Sequence, residues 1–217
     1  QKAYHVTFSP PLLKHKSHVP DARHRTMVHA VVLAGGASRR LGQPKALLPL
    51  LGGTVLSVAV ERLIGSGIET VVVVHPDLAG ATADLPCRVV INPRPDDGRT
   101  GSFHLGLANL TSPLTDVLVC PVDRPGWDQA VLERLLATPG EAVVPVHDGR
   151  AGHPLLVRGQ ALSRLAALDV DAPLRQALVE RRKVEVDAPF LHVNLDRPDD
   201  VAVMPALAAW LDRGENP

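Results

Sequence analysis

An apolar run that leads directly into a glycine-rich, basic loop constrains the fold of this chain most. Residues 30–33 are typical of a buried strand, and Gly35 and Gly36 follow closely. Paired glycines allow positive φ and bring the backbone close to a ligand. Successive main-chain N–H groups in such a turn form an anion-binding concavity, to which Arg40 and Lys45 add positive charge. The segment therefore predicts a cradle for a triphosphate.

Two better-known phosphate loops do not match this segment. A Walker A loop places its lysine directly after the last glycine, whereas Gln43 and Pro44 separate Gly42 from Lys45. The dinucleotide fingerprint needs Gly-x-Gly-x-x-Gly, and the glycines here do not have that spacing. The segment is then either a nucleotide loop of another kind or an ordinary strand-to-helix turn with a solvated basic face.

Aliphatic strand-like runs alternate with Leu- and Ala-rich helical patterns along the rest of the chain. The sequence is 45% hydrophobic but only 3% aromatic, so its core has to be built from Val, Leu and Ala. This alternation predicts an α/β fold with a Rossmann-like, doubly wound, mostly parallel sheet and helices on both faces. The expected strands are residues 30–33, 70–75, 88–91, 116–122, 142–146, 184–186 and 190–194, and the expected helices are residues 54–66, capped by Thr54, 98–110, 127–137, 160–168, 173–180 and 198–211.

The first 26 residues differ in composition from the rest. They contain His5, His15, His18 and His24 and have no helical or strand periodicity. This is typical of a disordered arm or of a remnant left by expression, and Met27 is the expected natural start. We expect a single domain over residues 27–217, since no linker long enough to divide it is present.

Composition also argues against several classes of partner. The formal net charge is zero, whereas binding to nucleic acid or to a membrane surface favours a basic excess. No apolar run reaches the roughly 20 residues that a membrane span needs. Cys87 and Cys120 lie in apolar runs and are expected to be free thiols of a reducing compartment. The expected location is therefore cytoplasmic.

The spacing Leu33-x-x-Gly36-x-x-x-Arg40-x-Gly42-x-x-Lys45 resembles the signature of the molybdenum-cofactor nucleotidyltransferases. This family has a cytidylyltransferase branch and a guanylyltransferase branch, and its fold is of the nucleotide-diphospho-sugar transferase type. The resemblance implies that Arg40 and Lys45 are catalytic and hold the triphosphate. The nucleotide-binding residues that it implies in this segment are Leu33, Ala34, Gly35, Gly36, Ser38 and Gly42.

Asp123 follows the fourth expected strand, at the same edge of the sheet as the glycine-rich loop. A carboxylate there suits Mg²⁺, a hard cation that prefers oxygen ligands. The resemblance implies that the Asp of this Asp-x-Pro motif is the catalytic metal ligand. The alternative is a turn, because Asp accepts local hydrogen bonds and Pro125 presets φ.

Two further segments resemble parts of the cytidylyltransferase branch. Asn92, Gly98 and Ser102 match an Asn…Gly-x3-Ser-x3-Gly pattern that approaches the nucleotide, and the alternative is a helix N-terminus with loop glycines. His153 lies in a Gly-His-Pro segment that the resemblance places near the acceptor, although a single histidine is more often structural.

Asn194 and Asp196 resemble the terminal metal-binding motif of the family. On a strand they would point the same way, so either is a candidate for a second Mg²⁺ ligand. Asp196 has a competing role as the cap of the last helix. Asp199 and Asp200 are expected to interact with the dipole of that helix.

These motifs predict a Mg²⁺-dependent nucleotidyltransferase. A phosphate oxygen of the acceptor attacks the α-phosphorus of a nucleoside triphosphate in line, and pyrophosphate leaves. The resemblance implies molybdopterin or the molybdenum cofactor as the acceptor, with onward transfer to a molybdoenzyme as one option. The alternatives are a sugar- or alditol-phosphate nucleotidyltransferase and a nucleotide-binding cofactor chaperone without turnover.

The choice of base depends on two segments that disagree. Residues 33–36 resemble the guanylyltransferase branch, whereas residues 92–106 and 152–154 resemble the cytidylyltransferase branch. A methyl-sized difference in a loop discriminates weakly, while hydrogen bonds to a base edge discriminate more strongly. We therefore expect CTP to be preferred, with a GTP-using guanylyltransferase as the alternative.

Overall fold

The computed structural model describes residues 27–111 and 114–215, with side chains up to residue 213. The arm expected over residues 1–26 lies outside the described residues. The strands are β1 (Val28–Ala34), β2 (Pro49–Leu50), β3 (Gly53–Thr54), β4 (Glu69–Val74), β5 (Arg88–Ile91), β6 (Asp116–Pro121), β7 (Ala142–His147), β8 (Arg150–Ala151), β9 (Leu155–Arg158) and β10 (Arg182–Glu185). The α-helices are α1 (Val55–Gly65), α2 (Gly98–Leu107), α3 (Gln129–Ala137), α4 (Gly159–Ala166) and α5 (Met204–Glu215), and 3-10 turns cover Lys45–Leu47, Pro76–Leu78, Gly80–Thr82, Pro95–Asp97, Leu174–Ala177 and Pro198–Val203.

The central sheet is mixed but mostly parallel. Its strands lie in the order β10-β7-β9-β6-β1-β4-β5, with β8 paired to β7, while β2 and β3 form a separate pair. β1 runs parallel to β4 and β6, β4 to β5, and β7 to β10. β9 runs antiparallel to both of its neighbours, β6 and β7. The parallel strands bring their carboxyl ends to one edge, as the sequence predicts.

Side chains of β1 alternate between two apolar cores, one on each face of the sheet. Val32 belongs to the core built with α1, α3 and α5. Val31 belongs to the core that contains Phe103 of α2 and Leu165 of α4. Helices therefore cover both faces, which confirms the doubly wound arrangement.

Local chemistry fixes the start of α1 where the sequence places it. The backbone N–H of Ser57 donates to Thr54 Oγ1 at 3.1 Å, and the N–H of Thr54 donates to Ser57 Oγ at 2.9 Å. This reciprocal capping box satisfies two backbone donors that a helix start leaves unpaired. Thr54 is the predicted cap.

Strand β9 is absent from the sequence prediction. Its four residues follow a Gly-His-Pro segment, and a short apolar run of this kind has no distinguishing periodicity. Arg158 at its end forms an ion pair with Asp116 and donates to the carbonyls of Leu136, Thr138 and Gly140. That side chain joins the β9 end to the amino end of β6 and to the last turn of α3.

Three other predicted elements differ from the observed ones. The helix expected over residues 173–180 is only the 3-10 turn Leu174–Ala177, and the closing helix begins as the 3-10 turn Pro198–Val203 before α5. The strand expected over residues 190–194 is wrong, because these residues form turns and irregular chain.

The segment after β10 crosses the β6–α3 connection instead of joining the sheet. Leu191 and Val193 close turns through hydrogen bonds to Ala188 O and Phe190 O. At the crossing, a Cβ added to Gly126 would lie 1.7 Å from Phe190 O. Only glycine leaves room for the backbone of this segment to pass.

Cys87 and Cys120 are free thiols, and burial keeps both of them protonated. It raises the pKa of the half-buried Cys87 thiol to about 11 and raises the pKa of the buried Cys120 thiol further. Among the described helices, none is both long and apolar enough to cross a membrane.

Gly126→Ala is predicted to destabilise the fold by about 3 kcal/mol or more, because the added methyl group would force the crossing backbone apart. Gly65→Ala is the matched control, since it adds the same methyl to a helical glycine with open space around it. That variant is expected to be as stable as the wild type or slightly more stable. Urea unfolding of the three proteins measures the difference, and equal stability of the two variants would contradict the crossing.

Candidate active site

The cavity that gathers most of the expected site residues, called the main cavity for that reason, lies at the carboxyl edge of the sheet. Its lining comes from the loops after β1, β5 and β6 and from the segment before α5. The cavity has a volume of about 280 Å³, and its position is the one at which sheets of this type bind ligands. The expected site residues that line it are Leu33, Gly35, Gly36, Ser38, Arg40, Lys45, Gly98, Ser102, Asp123 and Asp196.

Ser38 closes the loop after β1. Its φ is +50°, and its carbonyl accepts hydrogen bonds from the N–H groups of Leu41 and Gly42 at 3.1 and 3.2 Å. The Ser38 hydroxyl oxygen accepts from the backbone N–H of Lys45 at 3.2 Å. Gly42 has a φ of +75°, in the region that favours glycine. The glycine therefore shapes the turn, and Lys45 returns to the cavity.

Lys45 lies between two carboxylates. Its Nζ is 3.7 Å from Asp123 Oδ2 and 3.5 Å from Asp196 Oδ1. The three side chains are only 13%, 10% and 20% exposed, in the order Lys45, Asp123, Asp196. Charges that are this buried are screened weakly by solvent. The sequence placed Lys45 and Asp123 on the same edge, and the structure brings their charged groups together.

Two exposed arginines complete this charged cluster, which consists of Arg40, Lys45, Arg99, Asp123 and Asp196. Arg40 Nη2 lies 2.9 Å from Asp196 Oδ2, and Arg99 Nη2 lies 3.3 Å from Asp123 Oδ2. Sequence reasoning missed Arg99, although its place directly after the predicted ligand-contacting Gly98 was an available signal. Three cations face two carboxylates, so the cluster favours an anionic ligand.

The oxygen donors of the charged cluster fit a hard divalent cation. Mg²⁺ is commonly held by one or two carboxylates together with substrate phosphates and waters, and Asp123 and Asp196 supply two carboxylates. Within residues 27–111 and 114–213, no group of three or more His, Cys, Asp or Glu side chains could hold a metal. Phosphate and water oxygens would have to complete the coordination.

Asn92 lies behind the cavity and supports its floor. Its Nδ2 donates to Ser102 Oγ at 3.1 Å, and its Oδ1 accepts from the backbone N–H of Arg94 at 2.9 Å. Ser102 Oγ donates in turn to Gly98 O at 2.9 Å. A Cβ on Gly35 would lie 3.0 Å from Ser102 Oγ. The absence of a side chain at residue 35 therefore lets the loop after β1 pack against this pair.

The last segment of the site differs from its sequence-based description. Asp196 lies in the charged cluster and is not the helix cap. The cap position is Arg197, and Asp200 in the first turn accepts through Oδ2 from the N–H groups of Asp196 and Arg197 at 2.9 and 2.7 Å. These two bonds hold the pKa of the Asp200 carboxyl below its usual value. Leu195 N–H donates to Asp123 O at 3.0 Å, which joins the segment to the β6 loop.

Asn194 is not brought into the main cavity. It is absent from the cavity lining, and its Oδ1 is buried without a hydrogen bond to any described residue. The argument that Asn194 and Asp196 point the same way depended on a strand that does not form. Ala34, the last residue of β1, is likewise buried beneath the loop and outside the cavity lining.

A second cavity of about 460 Å³ adjoins the first. The two share Leu33, Gly98, Arg99 and Pro121 as common wall residues. His153 lines the second cavity only. The expected acceptor contact thus lies next to the expected nucleotide site and on the other side of a shared wall.

His153 is neutral at physiological pH. Burial lowers its pKa to about 4, helped by the positive charges of Arg124 and Arg99 and opposed by Asp123. Its Nδ1 is buried and makes no hydrogen bond within the described part of the chain. A ring nitrogen of a neutral imidazole can either donate or accept one hydrogen bond, depending on the tautomer, and this nitrogen is available for a ligand.

The sheet order and the helices on both faces define a Rossmann-like α/β fold with a ligand-sized cavity at the carboxyl edge of its sheet. Residues 30–186 match the MobA-like NTP transferase domain, and the chain belongs to this family. It is therefore a nucleotidyltransferase related to the molybdenum cofactor guanylyl- and cytidylyltransferases, which confirms the resemblance drawn from the glycine-rich loop.

Individual proteins are similar to this chain over more than half of its length. "Probable molybdenum cofactor guanylyltransferase" of Chloroflexus aggregans is 32% identical over 207 residues, which is 83% of this chain and 94% of that protein. Nicotine blue oxidoreductase of Paenarthrobacter nicotinovorans is 34% identical over 144 residues, 60% of this chain and 70% of that one. The crystal structure of Rv0371c from Mycobacterium tuberculosis H37Rv has a TM-score of 0.69 at 26% identity and covers 82% and 97% of the two chains. The same protein has also been solved in complex with manganese.

The lowered pKa of His153 predicts a specific loss of stability in acid. Below pH 6.5 the unfolded chain takes up a proton on this residue, whereas the folded protein does so only near pH 4. Stability therefore falls as the pH drops through this range, by about 2 kcal/mol at pH 5. His153→Gln should remove this part of the acid sensitivity. Urea unfolding at pH 7 and pH 5 measures it, and parallel losses in both proteins would contradict the buried neutral state.

Proposed function

We propose that this protein transfers CMP from CTP to the terminal phosphate of molybdopterin, with release of pyrophosphate. The observation that carries the proposal is the charged cluster at the carboxyl edge of the sheet, where Lys45 lies between Asp123 and Asp196. A glycine-rich loop forms one side of the cluster, and a second cavity adjoins it.

The nucleotide occupies the main cavity in this proposal. Backbone N–H groups of the loop around Gly35 and Gly36 face the phosphates, and Arg40 and Lys45 supply positive charge. Ser102 forms the floor on the base and ribose side and is held there by Asn92. Leu33, Ala34, Ser38, Gly42 and Gly98 shape the backbone and walls around these groups.

Asp123 and Asp196 are the groups that would hold Mg²⁺, together with oxygens of the triphosphate. The metal would supply positive charge that neutralises the phosphates. The Asp123 side chain is 10% exposed, so its position is fixed before a ligand arrives. Asn194 remains a candidate third ligand only by its resemblance to the family motif.

The acceptor phosphate enters from the second cavity. One of its oxygens attacks the α-phosphorus, the bond to the β-phosphate breaks on the opposite side, and pyrophosphate carries away the electron pair. His153 contributes a neutral hydrogen-bonding group to the acceptor. No protein nucleophile is required, because in this type of transfer positioning and charge stabilisation provide the catalysis.

Lys45→Ala is predicted to lower turnover by roughly 100- to 1000-fold while the fold is retained. Asp196 keeps Arg40 and Asp123 keeps Arg99 as partners in this variant, so neither carboxylate is left without an opposite charge. Lys183→Ala is the control, because Lys183 is an exposed lysine on β10. Pyrophosphate release and thermal unfolding provide the two measurements. A folded Lys45→Ala variant with nearly full turnover would remove the triphosphate role.

The choice of base is tested with one acceptor and two nucleotides. With molybdopterin as the acceptor, kcat/KM for CTP should exceed that for GTP by about tenfold, the size of a modest difference in pocket contacts. Mass analysis of the product identifies the transferred nucleotide. A GTP value equal to or above the CTP value would overturn the CTP assignment and favour the guanylyltransferase alternative.

Hydride transfer is the competing chemistry, because one relative carries the name of an oxidoreductase. The charged cluster combines three cations with two carboxylates, a set that favours metal-assisted transfer of a nucleotide instead. The same protein samples, supplied with NADH or NADPH and a quinone as the hydride acceptor in place of CTP, separate the two chemistries. Oxidation of either cofactor together with the absence of pyrophosphate release from any triphosphate would overturn the proposal.

A further inference from the structure

Arg99 lies where the two cavities meet. It contributes to the lining of both, and its side chain is 63% exposed. The proposed reaction uses Asp123 on one side of this residue and the acceptor cavity on the other. Arg99 itself has no role in that reaction so far.

Arg99 and Lys45 contact the same carboxylate oxygen. Arg99 Nη2 is 3.3 Å and Lys45 Nζ is 3.7 Å from Asp123 Oδ2. Lys45 is only 13% exposed and has Asp196 as a second partner, whereas Arg99 projects into solvent. Exposed ion pairs are weak, so a divalent cation that binds Asp123 displaces Arg99 more easily than Lys45. The charge of the cation also repels the released guanidinium.

The second cavity offers the released side chain a destination. Arg99 already contributes to its wall, and the positive charge of Arg99 helps to lower the pKa of His153 in the same cavity. Arg175 and Arg181 also line this cavity, together with the carboxylates Asp97 and Asp171. A guanidinium that turns from Asp123 into this space can make bidentate hydrogen bonds to a phosphate-like anion.

We propose that Arg99 leaves Asp123 when the metal binds and then holds the anionic group of the acceptor at the junction of the cavities. This inference rests on the proposed nucleotidyl transfer. It makes Arg99 an acceptor-binding residue whose availability depends on the metal. Metal binding and acceptor binding then strengthen each other, because such coupling is reciprocal.

Arg99→Gln tests the exchange, with Arg94→Gln as the matched control. Arg94 lies in the same connection between β5 and α2, is 76% exposed and forms an ion pair with Asp97 at 3.1 Å. It lines neither of these two cavities. Both variants remove one exposed arginine that has one acidic partner, so general effects of charge loss are the same in each.

The first measurement is calorimetric binding of Mn²⁺ to each protein without nucleotide. Arg99→Gln removes a competitor from Asp123, so it should bind Mn²⁺ about two- to fivefold more tightly, the size of one exposed ion pair. Arg94→Gln should match the wild type. Unchanged or weaker Mn²⁺ binding in Arg99→Gln would overturn the exchange, and a merely structural defect would weaken it.

The second measurement is equilibrium binding of molybdopterin to protein saturated with Mn²⁺ and a non-hydrolysable CTP analogue. Arg99→Gln should weaken this binding by roughly 10- to 100-fold, the loss of one charge-assisted pair, and Arg94→Gln should not change it. Equal binding by Arg99→Gln and the wild type would overturn the acceptor role.

Neither measurement needs turnover. Molybdopterin binding without pyrophosphate release would overturn only the proposed function, whereas a wild type that binds no molybdopterin would overturn both.

Discussion

One ammonium group, that of Lys45, holds together three segments that are far apart in the sequence. It reaches Asp123 at the end of β6 and Asp196 before α5, while its own backbone is bound to the loop after β1. Buried charges are costly unless they are paired. The lysine pairs with a carboxylate from each of the other two segments. The N–H of Leu195 also donates to Asp123 O, which links the segment before α5 to the end of β6. These ion pairs and hydrogen bonds hold the three segments in place and so set the shape of the cavity.

The parts of the site that could be predicted from the sequence are those placed by strand ends. Residues 30–33 and 116–122 have the pattern of parallel strands. The loops that follow parallel strands lie at the same edge of the sheet. Lys45 and Asp123 could therefore be placed near each other without coordinates. The glycines of the first loop and the capping residue Thr54 were predictable for a similar reason, since each has a local backbone requirement.

The parts that could not be predicted depend on contacts between distant residues. Asn92 was expected to bind the nucleotide, and its hydrogen bonds to Ser102 Oγ and to the N–H of Arg94 could not be read from any local pattern. The position of Arg99 beside Gly98 places it near the ligand, but its pairing with Asp123 depends on where α2 begins relative to β6, which the sequence does not show. The chain around residue 190 has strand-like composition, yet its path is set by the close crossing at Gly126.

The wall shared by the two cavities also bears on inhibition. Leu33, Gly98, Arg99 and Pro121 face both spaces. A single molecule with a nucleoside phosphate at one end and an anionic group at the other could occupy both at once. Its second half would bind at the high effective concentration set by a short linker, so two weak fragments could combine into a tight ligand. The dinucleotide that the proposed reaction would make is itself such a molecule, so slow release of that product would follow from this arrangement of the two cavities.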